Sequence, residues 1–375
     1  MGTQVDVAVV GGGILGLSTA YRLLERRPGL RLTILEKEPE LGAHQTSHNS
    51  GVLHSGLYYR PGSLKARLCI DGKAALERFA EEQGVPFRRC GKVVVAVEAD
   101  ELPRLARLKE YGTANGIPGL EEIGPERLRE IEPNVVGIRA LHLPQTGVID
   151  FRAVATCLAG EIRSRGAEVR SAHQVTALTE RNGSWLVHTS SGEVEASFVV
   201  SCAGLHADRV GQMTGRDRLD RTVPFRGDYY TLVQPSAGLV NALVYPVPNP
   251  AFPFLGVHFT RYIDGHVTAG PNAVLALARE GYRRRDVNAR DVADVLGFRG
   301  FRRLARRHWR MGLSEVWRDV SRGAFLRECR RYIPGLRRGD MRFGPSGVRA
   351  QLVGPDGALA DDFSLRRDRG ILHVL

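Results

Sequence analysis

The chain has 375 residues, 43% of them hydrophobic, and a formal net charge of +12, which is length enough for two cored units or one large one. No run of about 18 apolar residues occurs, so no membrane-spanning helix is expected. The five cysteines, Cys69, Cys90, Cys157, Cys202 and Cys329, are scattered without a C-x-x-C pair, so neither a metal site nor a redox dithiol is expected.

The N-terminus, "MGTQVDVAVVGGG", lacks the basic segment of a secretory signal, and a cytoplasmic location is expected. Its "VDVAVV", residues 5–10, is the short β-branched run of a buried parallel strand. Apolar residues then recur at helical spacing through Ile14, Leu17, Tyr21 and Leu24 until Pro28 and Gly29 stop the helix. "RLTILEKE" supplies a second strand and completes a βαβ unit.

Gly11-x-Gly13-x-x-Gly16 lies between that first strand and helix, and Glu36 follows Gly16 by twenty residues at the end of the second strand. This context makes a dinucleotide site. Gly11 permits a tight turn, Gly13 a close approach of backbone to pyrophosphate at the helix N-terminus, and Gly16 close packing of helix on strand. Glu36 is expected to accept a ribose hydroxyl. NAD and FAD both use such a unit, but no second fingerprint marks a separate nicotinamide domain, which favours FAD.

The next stretch, "GAHQTSHNSGVLHSGLYY" at 42–59, concentrates histidines, hydroxyls and glycines. Such composition suits an ordinary surface loop, but following the acid of a dinucleotide site it suits backbone and hydroxyl contacts along a cofactor. Later, "DFRAVATCLAGEIRSRG" reads as a helix closed by Gly166, and the strands after it turn at Asn182-Gly183. The fold class expected is α/β: a Rossmann-like FAD-binding domain from residues 1–84, 146–219 and 339–375, with an inserted α+β substrate domain from 85–145 and 220–338.

Residues 279–342 hold 19 arginines against 8 acidic residues, nearly the whole charge excess. With no nucleic-acid-binding motif, nucleic acid is not expected as a partner. Weak peripheral contact with anionic lipid on the inner face of the cell membrane is expected instead, through Val292, Val295, Leu296, Phe301 and Leu304 at roughly helical spacing among arginines.

Taken together, "HQTSHNSGVLHSGLYYRPGSLKARLC", "CGKVVVAVE", "TGVIDFRAVA", "CAGLHADRV", "VPFRGDYY", "YPVPNPAFPFLGVHFT" and "GPSGVRAQ" resemble the L-2-hydroxyglutarate dehydrogenase/oxidase family of FAD enzymes, within the D-amino-acid oxidase superfamily. That resemblance implies FAD held non-covalently and a dicarboxylate substrate, L-2-hydroxyglutarate, oxidised at C2 to 2-oxoglutarate. Electrons would pass to a quinone or to oxygen. It implies cofactor contacts from Gly11, Gly13, Ile14, Gly16, Glu36, Lys37, Ser47, Asn49, Ser50, Gly51, Val52, Val175, Cys202, Ala203, Gly204 and Gly347.

Loss of the hydroxyl proton requires a base, for which His54 is the first candidate and His258 the second. Two carboxylates require cationic or multiple neutral donors. Arg349 and Arg226 are the candidates, with Tyr58, Tyr59 and Lys65 as further hydrogen-bonding groups. The alternatives are a flavin enzyme of another 2-hydroxy acid, glycerol phosphate or an amine, or a non-catalytic flavin-binding protein. The family continues past "ILHVL" with a turn and a helix directed at the flavin, whereas this chain ends at Leu375, and weaker FAD retention is expected from that difference.

Overall fold

The strand Thr3–Val10 lies inside an eight-stranded sheet, parallel to Leu32–Leu35 on one side and Gly192–Ser201 on the other. Val7 and Val9 pack with Leu17 and Leu24 of helix Ile14–Arg26 and with Leu158 and Ile162 of helix Phe151–Ser164. Ala8 and Val10 face the other way, onto Leu178, Trp185 and Val187 of an antiparallel hairpin. Burial of both faces is why the strand reads as a continuous apolar run rather than an alternating one. The hairpin turns at Asn182 and Gly183, with φ of 50° and 80°, the left-handed pair a tight two-residue turn requires. The computed structural model describes residues 3–215, 220–249 and 255–375.

A second, nine-stranded sheet is centred on Arg221–Leu232, Val267–Gly270, His258–Arg261, Leu243–Pro246 and Lys92–Ala96, in that order. Its core includes Val93, Val95, Tyr230, Phe259 and Phe325. Between the two large sheets, Val52–Leu53, Gly147–Ile149 and Phe87–Arg88 form a short three-stranded sheet. It fixes where the chain leaves the polar run for the second sheet.

Two expectations need correction. Residues 339–375 do not return whole to the first sheet: Met341–Val353 pairs antiparallel along the length of Arg221–Leu232 in the second, and only Leu365–Asp368 and Ile371–Val374 join the first. Backbone pairing over that length outweighs nearness in sequence. The expected boundary at 219 and the 250–254 portion of "YPVPNPAFPFLGVHFT" lie outside the described residues.

The basic region forms helices Ala289–Gly297 and Arg299–Val320, the second kinked at His308. Of the apolar series expected to meet lipid, Val295 and Leu304 are buried against Val223 and Val353, with Phe301 packed on them. Those three residues hold the helices to the protein, whereas Leu296 of the same series is exposed and Val292 half-buried. A different set, Trp309, Leu313, Val316, Trp317 and Val320, is exposed.

Candidate active site

A cavity of about 970 Å³ opens at the end of the first strand, within the volume range of small-molecule and cofactor sites. Of the residues expected to hold a cofactor, Gly11, Gly13, Ile14, Glu36, Lys37, Asn49, Ser50, Val52, Val175, Cys202, Ala203 and Gly204 line it, and so does His54.

Gly11 has φ +108°, and a Cβ there would stand 2.4 Å from the Cys202 carbonyl oxygen. A Cβ on Gly13 would meet only the Thr46 hydroxyl, at 3.3 Å. Gly13 is the N-cap of helix Ile14–Arg26 and offers no side-chain cap, so the cavity receives the helix N-terminus, which favours an anion. The Ile14 N–H donates to Thr46 Oγ1 at 2.9 Å. Glu36 is buried and takes the Gly12 N–H at 2.7 Å on one oxygen and the Glu38 N–H at 2.9 Å on the other. Its carboxylate is thereby fixed at the cavity wall with lone pairs to spare. A glycine cradle, a helix N-terminus and a fixed acid fit the pyrophosphate and ribose of FAD.

Lys37 lines the cavity, but its ammonium is engaged by Glu38 and by Glu280 at 2.7 Å, beside His44 at 3.0 Å. His206 reaches the same Glu280 oxygen at 2.8 Å. Burial opposes the charge of Glu280, yet hydrogen bonds from His206 and Lys37 hold its carboxyl down to about 2.

Four expected residues support the cavity from behind. Gly16 is a packing glycine, since a Cβ there would lie 2.0 Å from the Gly11 carbonyl oxygen. Ser47 donates to the Gly42 carbonyl at 2.7 Å and accepts from Arg152. Gly51, at φ +65°, donates to Asn49 Oδ1 at 2.7 Å. Gly347 lets its strand approach the His48 carbonyl, which a Cβ would meet at 2.7 Å.

Beyond His54 lies a group of cations among aromatic rings. Burial first, then the charges of Lys92, His258 and Arg349, lower the His54 imidazole to about 3. His258 opens strand His258–Arg261, donates from Nδ1 to the Gly256 carbonyl at 3.0 Å, and stacks on Tyr245 with centroids 4.1 Å apart. Burial holds it down to about 3 as well; the Gly256 bond opposes this, and Lys92 and Arg349 add to it. Both rings are therefore neutral at neutral pH, and the Nδ1 bond leaves Nε2 of His258 as an acceptor.

Arg349 lies opposite Phe225 in the strand pair; burial lowers its pKa, while Tyr229 and Tyr59 oppose that. The Tyr58 hydroxyl is buried without a hydrogen-bond partner. Of the candidate site residues, His54, His258, Arg349, Tyr58 and Tyr59 lie near one another.

Arg226 and Lys65 do not join them. Arg226 is buried against Asp228 at 3.0 Å and Asp319 at 3.6 Å, so its charge is already neutralised. Lys65 is tied through its ammonium to the Asp361 carbonyl and through its backbone to Asp362. A residue the sequence reading missed is Lys92, 3% exposed, whose ammonium sits 4.2 Å from the Tyr58 ring centroid and 3.9 Å from that of Tyr245. Its signal was available: a lysine opening the otherwise apolar strand "KVVVA".

The chain matches the family of FAD dependent oxidoreductases, DAO, over residues 6–375. It is 44% identical over 371 residues to an L-2-hydroxyglutarate dehydrogenase of Indibacter alkaliphilus, covering 99% of this chain and 93% of that protein. It is 42% identical to the mitochondrial L-2-hydroxyglutarate dehydrogenase of Homo sapiens, covering 99% and 84%. Among solved structures it is similar in fold to the L-alpha-glycerophosphate oxidase of Mycoplasma pneumoniae with FAD bound, at a TM-score of 0.79 and 22% identity, covering 99% of this chain and 89% of that one.

Proposed function

The chain belongs to the FAD-dependent oxidoreductases and, within them, to the L-2-hydroxyglutarate dehydrogenases; from that premise we propose that it oxidises L-2-hydroxyglutarate to 2-oxoglutarate beside His54. The observation that carries this reading is a pair of cations, the buried Lys92 and the exposed Arg349, whose charges act both on His54 at the cavity wall and on His258. Two cations with a desolvated ammonium between aromatic rings call for an anionic ligand.

FAD, when bound, supplies the acceptor for the hydride leaving C2. Arg349 holds a substrate carboxylate through charge-assisted hydrogen bonds, with Tyr59 nearby. The His54 imidazole takes the hydroxyl proton. Lys92 and Arg349 help hold His54 down, so a dianion that offsets those charges makes the ring more basic when substrate is in place. His258 Nε2, the other neutral imidazole acceptor, is the second candidate. In this reading the first sheet carries the cofactor and the second carries the substrate groups.

Anaerobic titration of the FAD-loaded protein with L- and D-2-hydroxyglutarate tests the proposal: bleaching of the oxidised flavin band by the L isomer is expected. An unchanged spectrum with both would refute it.

For the electrons' exit, we propose a quinone reached by peripheral contact with the inner face of the cell membrane. No described helix is long and apolar enough to cross a membrane. Support comes from helix Arg299–Val320, where the exposed Trp309, Leu313, Val316, Trp317 and Val320 follow the exposed Arg302, Arg303, Arg306 and Arg307, with Arg310 exposed beside Trp309. Basic and aromatic side chains suit an anionic interface.

A further inference from the structure

A buried ammonium is stable only when something replaces its water. Lys92 opens strand Lys92–Ala96 and is 3% exposed, and its ammonium meets the faces of Tyr58 and Tyr245. Among the described residues its ammonium makes no hydrogen bond and no ion pair. Two ring faces satisfy a cation in part, but they leave its three N–H donors unused. Beside it the Tyr58 hydroxyl is likewise buried without a partner. A cation over the Tyr58 ring and the hydroxyl of that same ring, both without an acceptor, call for one oxyanion.

The sheet order gives that anion a geometry. The strand of His258 lies between the strand pair that carries Arg349 and the strand that carries Lys92, with Tyr245's strand next to Lys92's. The charges of Lys92 and Arg349 both act on His54 and on His258. Two cations therefore flank two neutral imidazoles, an arrangement matched by a ligand with an anion at each end and its reacting carbon between.

We propose that Lys92 receives the distal carboxylate of a dicarboxylate substrate, with the Tyr58 hydroxyl as second donor, and so sets the preference for a dianion over a monocarboxylate 2-hydroxy acid. This rests on the 2-hydroxyglutarate reading above, with Arg349 on the carboxylate next to the reacting carbon. Burial brings the Lys92 ammonium down to about 7, which is consistent with a cation that lacks its anion until substrate binds.

The test uses FAD-loaded enzyme, with affinities for glutarate and for pentanoate read from the perturbation of the flavin spectrum. These ligands differ in one terminal carboxylate. Wild type is expected to favour glutarate by roughly ten- to a hundredfold, the scale of a hydrogen-bonded charge. Lys92→Met should bring the two affinities within about threefold by weakening glutarate alone, and Lys92→Arg should restore most of the gap. Equal weakening of both ligands, or a wild type with no preference, would overturn the proposal.

A second measurement needs no variant to fold. The chain has only five lysines, and in enzyme labelled at lysine Cε one buried signal should move on adding glutarate and stay still with pentanoate. Failure of the function reading looks different: L-2-hydroxyglutarate would leave the flavin oxidised while the glutarate preference still depended on Lys92.

Discussion

The two neutral imidazoles, His54 half-buried at the cavity and His258 buried, make separable predictions. His54→Gln should slow flavin reduction by about a hundredfold or more, the usual cost of a lost general base, while FAD affinity stays near that of wild type because the glycine cradle and Glu36 are untouched. Rapid-mixing reduction beside FAD titration checks this; unchanged reduction would pass the role to His258. His258 has a pH signature of its own. Its folded pKa of about 3 lies below the ordinary 6.5, so between those values the unfolded chain binds a proton that the folded chain refuses, and stability falls as pH falls through that window. Between pH 7 and 5 this amounts to about 2 kcal/mol. Urea unfolding should therefore show wild type losing about that much more than His258→Gln over the interval; parallel losses would mean the imidazole is not held neutral. Legibility in the sequence differs residue by residue. His54 and Arg349 stand in recognisable stretches, whereas Arg226 stands in one equally recognisable and is spent on Asp228 and Asp319. For Lys92 the local signal is only its place at the start of an apolar strand; the tyrosine faces that give it a role come from distant parts of the chain.

Local elements were legible where a short-range rule governs them. Strand Thr3–Val10, helix Ile14–Arg26, helix Phe151–Ser164 and the turn at Asn182-Gly183 each follow from periodicity, a stop signal or a left-handed turn pair. Met341–Val353 was misassigned because strand pairing is decided by a partner more than a hundred residues away, and alternation alone does not name the partner. The basic helix was misread for a related reason. Helical spacing identifies an apolar stripe, but arginines between its members do not tell which of two stripes the protein covers. Val295 and Leu304 lie under cover, whereas Trp309, Leu313 and Trp317 are exposed. Replacing these last three by serine should lower partitioning to anionic vesicles by roughly tenfold or more, since each buried aromatic or leucine side chain contributes about 1.5–3 kcal/mol when fully removed from water. Turnover with a soluble acceptor should stay unchanged. Equal binding of wild type to neutral and anionic vesicles would remove the membrane contact altogether.

At the scale of the molecule, the cavity is assembled from pieces far apart in the chain. Gly11, Gly13 and Glu36 come from the first βαβ unit, Cys202 and Gly204 from the end of a later strand, and Glu280 from the segment after the second sheet's strand Val274–Leu275. A ligand filling that space touches several segments at once, so it stabilises the folded state relative to an unfolded chain that cannot assemble the site. Each tenfold rise in free cofactor above its dissociation constant adds about 1.4 kcal/mol. The apparent melting temperature should therefore climb steadily with added FAD, by a few degrees per decade or less for a chain of this length, and NAD at equal concentration should do little. The five cysteines are free, and Cys202 at the cavity is buried with its thiol raised to about 11 by burial, which makes it a poor nucleophile toward a flavin ring. A bond from Cys202 to the flavin is thereby disfavoured, and acid or heat denaturation is expected to release all of the flavin into the filtrate. A melting temperature indifferent to FAD, or flavin that remains with the precipitated protein, would mean that the cavity does not hold the cofactor through the glycine cradle and Glu36 alone.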